Sequence, residues 1–141
     1  MLAFVGFKDW EEQLLRKVAV EIDVAERCVF LPDADAVSDP GQLPQPSTGR
    51  QTYPGVIFLS TDGGSDVWPR TLEMLRNHTV LHGVPIVGLG NLSEEERVMA
   101  YGMRISSVIP KPGDYNTMVA YAKTALDYWL RMVQLPQKYL G

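Results

Sequence analysis

Short apolar runs alternate with longer stretches of helical period along nearly the whole chain, and that alternation restricts the fold more than any other feature. Segments 2–5, 27–31, 56–59, 84–89 and 106–109 have strand length and strand-like residues. Val56-Ile57-Phe58-Leu59 is apolar throughout, as a central strand covered on both faces must be. Between these runs the spacing predicts helices over about 10–22, 68–77, 93–101 and 115–133. Such alternation implies an α/β sandwich built on a parallel sheet of five strands.

Local signals refine the boundaries. Asp9 with Glu12 three residues on reads as a capping box, and so does Ser93 with Glu96. Trp10, Leu14, Val18 and Ile22, widened by Leu15 and Ala19, form the stripe that the first helix is expected to lay on the sheet. Leu72 and Leu75 are expected to point inward from the next helix, and Pro69 is tolerated in its first turn. The stretch 33–53 differs: Pro40, Gly41, Pro44, Pro46 and Gly49 leave room for a turn or two around 33–38 but for no full helix. The second helix of the sandwich is therefore shortened or replaced by a loop.

With 141 residues, 45% of them hydrophobic and 21% charged, the chain suits one domain, 1–141, ending in a short tail at 134–141. A net charge of -4 with no basic stripe argues against a nucleic-acid partner. The apolar runs fall far short of the roughly 20 residues that span a bilayer, so no membrane partner is expected. The N-terminus lacks a basic region and a cleavage site, and is expected to be a strand instead of a signal peptide. Cys28 is the only cysteine, so no internal disulfide forms; a cytoplasmic location and a buried strand thiol are expected.

Several short motifs carry less than they suggest. Gly88-Leu89-Gly90 follows the fourth strand, whereas a dinucleotide loop follows the first and has a third glycine. His78 and His82 have zinc-like spacing, but straddle the end of a helix and lack a third ligand. Glu94-Glu95-Glu96 fits the first turn of a helix, where the dipole favours acids. Gly63-Gly64 has no following Gly-Lys-Ser/Thr, and a flexible turn is expected there instead of a phosphate loop. No cofactor and no metal are expected.

Order of elements and residues together resemble the receiver domain of two-component response regulators, over almost the whole chain. Three features resemble the stand-alone receivers that partner phytochrome-type kinases: the loop before Pro54-Gly55-Val56-Ile57-Phe58-Leu59, the Ala100-Tyr101 ending of one helix, and Asp127-Tyr128-Trp129-Leu130 in the last. Lys111-Pro112 after a short strand is the most specific element. The resemblance implies a flavodoxin-like (βα)5 doubly wound sheet and a role in phosphorelay signalling. It also implies a set of site positions, and most of them depart from the family. Where acids hold Mg²⁺ after the first strand, this chain has Gly6, Phe7 and Lys8. Ser60 stands at the phosphoacceptor position, and its hydroxyl has no charge and is a poor nucleophile toward phosphohistidine. Asp62 lies on the same strand face, roughly 6–7 Å further on. Gly90 replaces a hydroxyl residue, Val108 the aromatic switch, and Arg104 a glycine, which strains any left-handed backbone there. Lys111 alone survives.

The last helix is expected to pack Met118, Ala122, Ala125 and Trp129 on the sheet, while Tyr121, Tyr128 and Met132 widen the apolar arc. With Trp129, these residues suggest a partner or homodimer surface on the last two helices. The expected function is that of a pseudo-receiver: no enzyme, no catalytic residue, binding a sensor kinase, another signalling protein or a second copy. The alternatives are a receiver phosphorylated at Asp62 or Ser60, and a small flavodoxin-like cofactor binder or enzyme.

Overall fold

A computed structural model describes residues 1–33, 35–36, 53–62 and 66–134. Among them, strands β1 (Leu2–Val5), β2 (Cys28–Leu31), β3 (Val56–Ser60), β4 (Ile86–Leu89) and β5 (Ser107–Ile109) form one sheet in the order β2-β1-β3-β4-β5. Every pairing is parallel. Helices α1 (Asp9–Glu21), α2 (Val67–Arg76), α3 (Glu94–Gly102) and α4 (Tyr115–Asp127) cover it. This is the flavodoxin-like doubly wound arrangement expected from the sequence. The strand order reverses between β1 and β3, so a crevice opens at the carboxyl ends of these strands.

Alternation along the strands divides the core in two. Leu2, Phe4, Val56, Phe58, Val87 and Leu89 face α1 and α4, meeting Leu14, Leu15, Val18, Met118, Ala122 and Leu126. Ala3, Val5, Ile57, Leu59 and Ile86 face α2 and α3, meeting Trp68, Leu72, Leu75 and Ala100. Phe4 stacks on Phe30 at 4.7 Å between ring centroids and lies 5.3 Å from Phe58. Burying each such side chain contributes about 1.5–3 kcal/mol.

Three local expectations change. The N-cap of α1 is Lys8, not Asp9, and Glu11, not Glu12, reaches back to the cap. Trp10 is 52% exposed and takes no part in the stripe, because with Glu11 inward the buried positions are 11, 14, 15, 18 and 19. The last helix is α-helical only to Asp127 and closes in a wider π turn, Tyr128–Met132. The Ser93–Glu96 box forms as read, and its hydrogen bonds from the Ser93 backbone and side chain hold the Glu96 carboxyl below its ordinary pKa. Asp33 accepts from the Ala36 N–H at 3.0 Å, where Asp35 and Ala36 are helical; the loop at 37–52, the expected turn at Gly63-Gly64 and the tail at 135–141 lie outside the described residues.

Candidate functional site

The crevice is built by three segments leaving the sheet. β3 delivers Ser60, Thr61 and Asp62; β4 delivers Gly90 and Asn91; β5 leads through Pro110 to Lys111. Gly6 turns the chain out of β1 with φ +80, a left-handed conformation suited to glycine. Phe7 and Lys8 then lead into α1, whose first turn supplies a fourth wall.

Glu11 is that wall, and sequence reasoning missed it. The side chain is 1% exposed. One carboxylate oxygen accepts from the Lys8 N–H at 3.0 Å, and the other pairs with the Lys111 ammonium. The same ammonium pairs with Asp62. Lys111 is thus not a lone donor, as the sequence suggests, but a cation between two carboxylates from separate elements. Its own side chain is 8% exposed, and the Phe7 ring centroid lies 5.6 Å from Nζ. Burial of a charge of either sign is tolerable only in such company. The backbone of Lys111 is pinned as well: Asn91 accepts from its N–H at 3.2 Å and donates to its carbonyl at 3.3 Å.

Ser60 is 7% exposed, and its hydroxyl accepts weakly from the Asp62 N–H at 3.4 Å. Thr61, 4% exposed, projects over β4. A Cβ built on Gly90 would fall 2.1 Å from Thr61 Oγ1, and one on Gly88 would fall 3.0 Å from Thr61 Cγ2. The Gly88-Leu89-Gly90 motif therefore makes room for Thr61. Thr61 Oγ1 occupies the space that a side chain at Gly90 would need. Thr61 Oγ1 itself has no hydrogen-bond partner among the described residues.

The other predicted positions lie outside the crevice. Lys8 is exposed at the mouth of α1. Val108 is half-buried, and its N–H donates to the Tyr101 hydroxyl of α3 at 3.2 Å. Arg104 has φ +68, the left-handed backbone anticipated from the missing glycine. His78 Nδ1 accepts from Val80 and Leu81 N–H and caps a turn. Cys28 is half-buried at the start of β2; burial pushes its thiol up to about 11. Between β5 and the last helix a groove of about 410 Å³ is lined by Ser107, Ile109, Tyr121, Tyr128 and Trp129. Tyr121, Tyr128 and Met132 are 42%, 48% and 71% exposed, as the wide apolar arc requires.

Solved structures similar to this chain are receiver-domain response regulators. The phosphorylated cyanobacterial phytochrome response regulator RcpA superposes with a TM-score of 0.77 at 17% identity, over 96% of this chain and 98% of that one. The Mn²⁺-bound form of response regulator Rcp1 gives 0.76 at 17%, over 96% and 97%. RPA3017, from red light signalling in R. palustris, gives 0.72 at 18%, over 96% and 98%. No family profile and no curated protein sequence matches the chain. The chain has the receiver-domain fold of two-component response regulators, and a cyanobacterial phytochrome response regulator and the bacteriophytochrome response regulator RtBRR are among its structural neighbours.

The crevice does not fit a divalent cation. Gly6, Phe7 and Lys8 offer no carboxylate, while Glu11 and Asp62 already share an ammonium. No group of three or more His, Cys, Asp or Glu among the described residues is arranged to hold a metal ion. No helix there is long and apolar enough to cross a membrane.

Proposed function

We propose that this chain is a pseudo-receiver, a signalling module of two-component type that acts by binding a protein partner and carries no phosphoryl group. One observation supports this most: the ammonium that would meet a phosphoryl oxygen is committed to Glu11 and Asp62, while the acceptor position holds the Ser60 hydroxyl. A phosphoryl dianion entering there would face two carboxylates and a cation already neutralised by them. The chain is not a catalyst on this reading. Its partner is a sensor kinase or another signalling protein, and the phytochrome response regulators among its neighbours make a phytochrome-type kinase the first to test.

The binding face is the groove between β5 and α4 with the adjoining Tyr128, Trp129 and Met132, and a second copy of the chain is its occupant. Aromatic and methionine side chains of this kind are enriched in interface cores. Sedimentation across concentrations should reveal a dimer that Met132→Glu weakens.

Incubation with acetyl phosphate or with a phosphohistidine donor, followed by intact mass, should leave the wild type unlabelled. A second reading, a receiver working through Asp62, draws on the contact between Asp62 and Lys111. It requires stoichiometric label that Asp62→Ala abolishes and Ser60→Ala retains; that result would replace the first reading.

A further inference from the structure

Lys111 touches each of the other walls of the crevice. Its ammonium joins Glu11 on α1 to Asp62 after β3, and its peptide group is bracketed by the Asn91 amide after β4. Pro110 and Pro112 on either side restrict the backbone that presents it. Two carboxylates drawn to one point by a cation is the arrangement a hard metal ion imposes. Here the chain provides the cation itself.

We infer that the Lys111 ammonium takes the place of a divalent ion, closing the crevice from within and holding the loop after β5 in a single position. This rests on the pseudo-receiver reading and deepens it. The carboxylates are spoken for by a charge that cannot diffuse away, so the module stays in one state whatever the metal concentration. Glu11 is too buried to be left without a counter-charge. Removal of the lysine should therefore turn the pair into ligands for a metal ion, since the repulsion that excluded it is gone.

The test compares wild type, Glu11→Gln, Lys111→Met and Glu11→Gln/Lys111→Met in Mn²⁺, counting free ion by its paramagnetic resonance signal and following thermal unfolding. Potassium chloride of equal ionic strength is the control. Wild type should leave Mn²⁺ free. Lys111→Met should bind it at least about tenfold more tightly than wild type, with a rising unfolding midpoint, and the double variant should lose that binding. If Lys111→Met is unfolded without metal, Mn²⁺ must restore its fold where K⁺ does not. Saturable uptake by wild type that Glu11→Gln abolishes overturns the inference, as does a Lys111→Met protein that neither binds Mn²⁺ nor is refolded by it. Uptake by wild type without phosphoryl labelling defeats this inference alone, whereas labelling defeats the pseudo-receiver reading.

Discussion

Restoring the family's hydroxyl residue at Gly90 should damage this protein instead of repairing it. In Gly90→Ser the new Cβ arrives 2.1 Å from Thr61 Oγ1, 2.8 Å from Asp62 Oδ1 and 3.1 Å from the Thr61 carbonyl carbon. Thr61 has little room to move away. Its N–H is bonded to the Leu89 carbonyl at 2.9 Å, and its methyl already packs over Gly88. Gly90 also has φ +158, at the margin of what a side chain accepts. Overpacking typically costs about 1–3 kcal/mol, and a clash with a side chain held on an anchored backbone belongs at the upper end, about 3 kcal/mol. Against a stability of about 5–15 kcal/mol, that is a substantial share. With a slope near 2 kcal/mol per molar, the urea midpoint should fall by roughly 1.5 M. The assay is urea unfolding followed by far-ultraviolet circular dichroism, in the wild-type and Thr61→Ala backgrounds. Thr61→Ala removes the nearest contact, so Gly90→Ser should cost at least about 1 kcal/mol less there. A loss under about 1 kcal/mol in the wild-type background, or an equal loss in both, would refute the claim that Thr61 fills the place of the missing side chain.

Further outcomes follow from the same structure. Lys111→Met should lose about 3–5 kcal/mol in metal-free buffer because Glu11 is left buried and unpaired, and Glu11→Gln should recover a large part of that loss; equilibrium unfolding of the four proteins gives the coupling. Arg104→Gly should gain about 1 kcal/mol by relieving the left-handed backbone at φ +68, since the exposed side chain makes no hydrogen bond among the described residues that would be lost, and a raised thermal midpoint checks it. Cys28 should react with iodoacetamide at pH 8 about a hundredfold more slowly than a free thiol, because a pKa of about 11 in place of 9.0 leaves that much less thiolate. Burial favours its neutral form, so the stability it contributes is complete below pH 9.0 and declines as pH rises through about 11; chemical unfolding across that interval should show the fall.

Much of the architecture is legible in the residues alone, because the strands are uninterrupted apolar runs and the helices have regular spacing. Val56–Ser60 and the Ser93–Glu96 cap are cases where local chemistry admits one outcome. The site is less legible. Glu11 and Glu12 are equally plausible partners for a cap, and Asp9 is a far better capping residue by type than Lys8. The choice is made by tertiary contact: only Glu11 lies where Lys111 can reach it, and that register turns Trp10 out to solvent. An inward-facing glutamate on the sheet side of a helix, paired in sequence with a lysine at the end of the last strand, was the available signal. Thr61 and the two glycines escaped for a similar reason, since a steric vacancy is a property of two strands at once. Asn91, a surface loop residue by type, shows its part only when the Lys111 backbone is placed beside it.

α1 lies against α4, and their edges are joined by Lys123 with Glu21 at 3.0 Å and by the Arg131 guanidinium donating to the Ile22 carbonyl. That same rod begins at the glutamate that grips Lys111 and ends against the π turn, whose Tyr128 and Trp129 line the proposed docking groove. A protein seated there would lean on the far end of a stiff lever whose near end is anchored in the ion pair, and so meet resistance to any sliding of the two helices. Mechanical rigidity at the docking surface would then be set in part by a charge contact at the other end of α1.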